Sequence, residues 1–303
     1  MDTFLIGLAA ATLRVATPLI FGTLGELFCE RAGILNLGIE GTMLFGAFVG
    51  FAAASASGSL WVGFLAAIMA GMLSGLLMGL LAVRLGVNQH VSGLGITLLL
   101  TGLSYFSFRL FSGEQSVQPS ITPFDTIHLF GNLPVLGAIF EQYALTYLAI
   151  LLVPLAWWVL FRTNFGLKMR AVGENPEAAD AAGVNVYHTR YLALAIGGGL
   201  MAAGGAFLSL AQMGSFTFGF INGRGWVCIA LIIFGNWEPF RLLGGAVLFG
   251  LVFALQLRLQ STGLQLPYEV FLALPYLVTI LVLAIAGRNT SAPSAMLKPY
   301  QRE

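Results

Sequence analysis

Residues 41–83 read GTMLFGAFVGFAAASASGSLWVGFLAAIMAGMLSGLLMGLLAV, without a single Asp, Glu, Lys or Arg. At roughly 20 apolar residues per crossing of a hydrocarbon core, this run holds two transmembrane helices. The small-residue cluster SASGS at 55–59 is the turn between them. Further uncharged runs lie at 85–108, 142–161, 191–223, 242–257 and 270–287. An N-terminal helix over 3–25 and a short one over 226–234 bring the expectation to about nine spans.

Composition supports that reading. Of 303 residues, 58% are hydrophobic and 9% charged, with a mean hydropathy of +0.88, whereas soluble domains carry roughly 25% charge. A water-soluble globule is excluded. The net charge of +1 leaves no basic excess for nucleic acid. The expected fold class is all-α: one polytopic domain over 1–303, surrounded by membrane lipid, in which 38 glycines let helices pack closely. Cys29 and Cys228 have neither disulfide nor metal spacing. Met1-Asp2-Thr3-Phe4 lacks a basic n-region, so the first apolar stretch is read as a retained helix.

Arg162, Lys168, Arg170 and Arg190 in the 162–190 loop, with Arg288, Lys298 and Arg302 around the 289–303 tail, make half of the 14 basic residues. The positive-inside rule makes both segments cytoplasmic. Counting back puts Arg31 and Arg84 inside, and the loop 111–141 and the N-terminus outside. A weak repeat fits this topology: Gly33-Ile34-Leu35-Asn36 and Gly219-Phe220-Ile221-Asn222 each precede a short apolar segment, a turn and a glycine-rich span. The first enters its helix from inside and the second from outside, the layout of inverted repeats with interrupted helices.

Residues 26–41, ELFCERAGILNLGIEG, are too polar for a lipid-facing helix and too apolar for a solvated loop. On a helix Asn36 and Glu40 share a face. They either line a translocation path, or belong to an interfacial loop held by Glu30–Arg31 pairing; an acid at the depth of Glu40 points to function. In the counterpart at 215–226, Arg224 either meets a polar solute beside Asn222 or pairs with Glu40 or Glu238. The alternating Phe216, Phe218 and Phe220 either stack on a base-like solute or pack internally. Asn88 and Gln89, with His90, form a pore entry or a helix cap. His90, His128 and His188 fall in separate segments, so no metal ligand set is expected. Gly71, Gly75 and Gly79 mark one helix-packing face, within the subunit or against a partner.

The inner loop contains a well-terminated short helix. Asn175 caps it, Pro176 fits its first turn, Glu177 and Asp180 suit its N-terminal half, Ala178 and Ala179 give it a small face, and Gly183 supplies a left-handed stop. It forms a peg that fits a groove on another protein. The chain has no Gly-x-x-x-x-Gly-Lys phosphate loop, no His-Glu-x-x-His and no Gly-x-Ser-x-Gly, so no catalytic residue is assigned. Any nucleotide that powers transport is hydrolysed by another chain.

With Gly183, the Glu177-Ala178-Ala179 run resembles the Glu-Ala-Ala-x-x-x-Gly coupling loop of ATP-binding-cassette importer permeases, although the apolar-Pro ending of the longer motif is absent. The ERAGILNLGIEG run at 30–41, with Gly173-Glu174-Asn175-Pro176 downstream, resembles the permease group of ribose and branched-chain amino-acid importers. Within it, the run is most similar to nucleoside importers fed by lipoproteins of the basic membrane protein family. The resemblance implies a bacterial cytoplasmic-membrane subunit paired with a longer homologous permease, an ATPase subunit that binds ATP, and an extracytoplasmic solute-binding lipoprotein. The chain itself would need no cofactor. Alternating access is then driven through the 175–183 helix. An ion-coupled secondary transporter or channel using Glu40 and Glu238 is the rival expectation, and an intramembrane enzyme ranks below it.

Overall fold

A computed structural model describes residues 2–113, 119–128, 140–261 and 291–300, with isolated positions between 269 and 284. Its helices are α1 (Asp2–Arg31), α2 (Ile39–Ser57), α3 (Leu60–Gly79), α4 (Gln89–Ser112), α5 (Ala144–Arg162), α6 (Asn164–Glu174), α7 (Pro176–Ala181), α8 (Val186–Phe207), α9 (Arg224–Gly235) and α10 (Pro239–Ser261). Wider π turns continue α3 over Leu80–Arg84 and α8 over Leu208–Met213. The described chain is not purely helical. Strands β1 (Thr126–His128) and β2 (Glu141–Tyr143) pair antiparallel, Thr126 opposite Tyr143 and His128 opposite Glu141.

Seven helical segments among the described residues are long and apolar enough to cross a membrane. The count of nine is not reached. Helix α9 has 12 residues, about 18 Å at 1.5 Å per residue, against a core of about 30 Å. The span expected at 270–287 lies outside the described residues apart from scattered helical positions.

Helix α1 continues to Arg31, past the expected end at residue 25, because Glu26 and Glu30 find partners inside the protein and do not end the span. Helix α8 is the most enclosed of the seven, with α1, α2 and α3 packed around it and α10 against α1. Small residues make this approach possible. A Cβ at Gly71 would stand 2.2 Å from the Gly198 carbonyl oxygen, one at Gly75 1.9 Å from that of Leu194, and one at Gly79 2.7 Å from the Tyr191 ring. All three glycines therefore face α8 of the same subunit. Hydroxyl pairs add polar links across helices, Thr42 to Ser74 at 2.7 Å and Thr17 to Thr146 at 3.0 Å.

The connections gather at two ends. At one, the Arg31 guanidinium donates to the Trp237 carbonyl, and the Ala295 amide to the Gly173 carbonyl. At the other, the Ile121 and Phe124 amides donate to Gly214 and Leu210.

Candidate functional site

Two interruptions dominate the molecule. Between α1 and α2 the chain leaves helical geometry over residues 32–38, and between the end of α8 and α9 over 214–223. Non-helical backbone inside a membrane needs partners within the protein or a water-filled cavity. Each break has them.

The first break is satisfied from all sides. The Glu26 carboxylate accepts the Asn36 amide at 2.8 Å, the Asn36 side-chain oxygen accepts the Gly38 amide at 3.0 Å, and Gln89 accepts the Leu35 amide at 2.8 Å. Thr97 donates to the Leu37 carbonyl and Arg190 to that of Ala32. Asn36 is 1% exposed and precedes α2, so it neither shares a helix face with Glu40 nor fronts an opening. Gln89 is also buried, serving as a backbone partner, while Asn88 caps α4 by accepting the His90 and Val91 amides.

Glu30 and Arg31 do not pair with each other. The Trp237 indole donates to Glu30 at 2.5 Å, and Arg31 donates to the Trp237 carbonyl at 2.6 Å, clamping the α9–α10 turn onto the end of α1. Asn236 and Trp237 both hold positive φ there, 50° and 56°.

Glu40 joins the breaks. One of its carboxylate oxygens accepts the Gly223 amide at 2.8 Å and the other the Gly225 amide at 2.7 Å, so a residue in the first turn of α2 caps the N-terminus of α9. Arg224 turns back on its own loop, donating to the Phe220 and Ile221 carbonyls, and its Nε is buried without a hydrogen-bond partner. Among the described residues it forms no ion pair with Glu40 or Glu238; Glu238 lies 3.8 Å from Arg241 instead.

The phenylalanine stripe divides. Phe216 and Phe220 are buried, with Phe216 packed on Phe48 and Phe108, whereas Phe218 is 57% exposed. Its ring meets Tyr105 edge-on at 4.8 Å, and the Tyr105 hydroxyl accepts the Gly219 amide at 2.9 Å. Asn222 is exposed at φ 51°. Phe218, Tyr105, Asn222 and half-buried Glu40 and Arg224 thus belong to one break region.

At the opposite end, α7 has the expected termini. The Asn175 side chain accepts the Ala178 amide at 3.0 Å, and Gly183 holds φ 84°. Ala179 is buried against Val172 and Val186, leaving Glu177, Ala178 and Gly183 exposed. A Cβ on Gly173 would stand 2.2 Å from the Arg31 carbonyl oxygen, so α6 ends on the first break; Glu174 accepts from Ser294.

Sequence reasoning missed Glu26, Tyr105 and Trp237, gave Glu30 the wrong partner, and counted buried Arg190 as a loop charge. Two acids four residues apart in an apolar run were a usable signal for Glu26 and Glu30; Tyr105 and Trp237 had none. Among the described residues, no three His, Cys, Asp or Glu side chains gather as a metal site.

The family model described as branched-chain amino acid transport system / permease component matches residues 8–283. A Haloferax volcanii protein named a glucose ABC transporter permease, TsgC13, is 44% identical, with 99% of both chains covered. The guanosine ABC transporter permease NupQ of Bacillus subtilis is 36% identical over 96% of this chain and 95% of its own. A solved structure described as an inward-facing conformation of a metal-chelate type ABC transporter matches with a TM-score of 0.51 at 16% identity, over 93% of this chain and 85% of that one.

Proposed function

Since the chain belongs to the branched-chain amino acid transport system permease family and is a permease subunit of an ATP-binding-cassette importer, we propose that its solute is a nucleoside. The observation that carries this reading is the second break: an exposed aromatic, Phe218, stands against Tyr105 and beside exposed Asn222. A planar base needs an aromatic face and an edge-directed amide, and this break carries one of each. Asn222, Glu40 and Arg224 then lie along the pathway, while Asn36, Asn88 and Gln89 hold its backbone.

The α6–α7 loop docks on a separate ATPase subunit that binds ATP, through Glu177, Ala178 and Gly183, with Gly173 and Glu174 carrying movement to the first break. A second homologous permease completes the pathway, and an extracytoplasmic solute-binding lipoprotein delivers the solute. The chain spans a cytoplasmic membrane about nine times, the 214–223 break and short α9 together making one crossing and the 270–287 run another, with its N-terminus outside and its C-terminus inside. An inverted repeat relating α1–α3 to α8–α10 is supported by reciprocal packing: α3 on α8, α10 on α1, and α1 on α8.

Radiolabelled guanosine uptake, with and without the ATPase and second permease, tests the solute. Uptake should require both partners and resist glucose and amino-acid competition. Phe218→Ala should lower nucleoside uptake about 5- to 150-fold, the range set by the stacking of one base. Competition by glucose alone would replace this reading with a sugar one, which the 44% identical relative's name favours.

Gly183→Val tests coupling. A β-branched residue is strained at φ 84°, yet open space surrounds a Cβ there. The change therefore alters the exit from α7 without disturbing the core. Uptake should fall at least about tenfold while ATP hydrolysis persists, since only differential binding of the ATPase states shifts the permease. Parental uptake per ATP hydrolysed would refute the docking role.

A further inference from the structure

We infer that the C-terminal segment 291–300 is a strap that positions the α6–α7 pair on the first break, with Ser294 and Ala295 as the residues through which it acts. The inference rests on the reading that α6–α7 docks the ATPase.

Segment 291–300 is bonded to α6 and to the α9–α10 turn and packs on α8. The Ala295 amide donates to the Gly173 carbonyl at 2.9 Å, and Ala295 is 3% exposed. Gly173 sits in the last turn of α6, where carbonyls lack intrahelical donors. The tail thus supplies a bond the helix cannot make. Ser294 adds two more to the Glu174 carboxylate, from its amide at 3.2 Å and its hydroxyl at 2.9 Å. Upstream, the Ser291 amide donates to the Asn236 side chain in the α9–α10 turn at 3.1 Å. Downstream, the Tyr300 ring lies 5.7 Å from that of Tyr187 and packs on the cluster that buries Ala179 of α7.

These contacts matter because of how α6 meets α1. Gly173 packs directly against the Arg31 carbonyl, and no hydrogen bond joins the two residues. Such a contact transmits a push, but it separates under a pull. Hydrogen bonds from one strand to α6 and to the α9–α10 turn resist separation. Since Trp237 of that turn is bonded to Glu30 and Arg31, the strap closes a loop of contacts from the docking helices to the end of α1. Withdrawal of α7 then draws the break with it.

The test uses the complete importer in vesicles and reads solute moved per ATP hydrolysed. Combining Ser294→Ala with Ala295→Pro removes the hydroxyl and the Ala295 N–H. That ratio should fall at least about tenfold, the effect expected from losing two hydrogen bonds. ATPase co-purification and nucleoside binding should stay at parental values, the melting temperature should fall only by the few degrees that two hydrogen bonds are worth, and Ser294→Thr alone should keep the parental ratio. A parental ratio in the double variant overturns the strap. So does a loss of uptake matched by loss of ATPase binding or by failure to recover folded protein, which indicates a purely structural role. If the parent importer takes up solute without its ATPase, the docking reading fails and the strap fails with it.

Discussion

Uptake falls to background when Glu40 is replaced by leucine, the largest functional effect expected of any single change in the pathway. Helix α9 begins inside the protein, where its first amides have no intrahelical acceptor. Its N-cap residue, Gly223, has no side chain to cap them. The cap comes from Glu40, whose two oxygens accept the Gly223 and Gly225 amides at 2.8 and 2.7 Å. A Cβ on Gly225 would stand 2.7 Å from the Glu40 Cα, so the two backbones are already in contact. Leucine leaves two amides unsatisfied, each costing about 1–3 kcal/mol when buried. It also removes a negative charge from the positive end of a helix dipole, worth about 0.3–2 kcal/mol. The breaks separate where Phe218 and Asn222 must stay aligned. Glutamine keeps one acceptor oxygen and should retain a measurable fraction of uptake. If Glu40 were instead a titrating acid in an ion-coupled transporter, glutamine would be as inactive as leucine. Vesicle uptake normalised to assembled importer separates these outcomes, and parental uptake by Glu40→Leu would remove Glu40 from the mechanism.

The spans were legible because lipid enforces a simple rule: uncharged runs must be helical, and small polar clusters must turn. The 41–83 run resolves into α2 and α3 around Gly58, and the 175–183 helix appears with its cap and stop. The same rule failed where a charge is satisfied internally. Glu26 and Glu30 looked like the end of a span, but the Asn36 amide and the Trp237 indole, 10 and 207 positions away, accommodate them within α1. Arg190 counted as a loop charge, but it is 1% exposed and bonded to Ala32. Local pattern likewise could not decide how Phe216, Phe218 and Phe220 would divide, since α4 supplies both Phe108, which buries the first, and Tyr105, beside which the second stays exposed. Break positions were readable from glycine and asparagine content; the contact between the breaks was not, because Glu40 and Gly223 are 183 residues apart.

Gly75→Leu should prevent recovery of folded protein, the largest stability effect expected here. A Cβ at this position would fall 1.9 Å from the Leu194 carbonyl oxygen and 2.6 Å from its carbon, both backbone atoms of α8. No rotamer change can relieve a clash with backbone, so α3 must move away by more than about 1 Å to restore an ordinary C···O contact of about 3.3 Å. That movement also opens the neighbouring approach of Gly71 to Gly198, whose own Cβ would stand 2.1 Å from the Gly71 oxygen. In lipid, helix association rests on close packing rather than on expulsion of water. Loss of contact along both helices should therefore exceed the usual overpacking cost of about 1–3 kcal/mol. Even Gly75→Ala should lower the melting temperature in detergent, whereas Gly95→Ala and Gly102→Ala, in the interior of α4 where a Cβ meets nothing within 4 Å, should raise stability by about 0.5–1 kcal/mol through helix propensity. Equal melting temperatures for Gly75→Ala and Gly95→Ala would mean that α3 and α8 do not approach as closely as the structure places them.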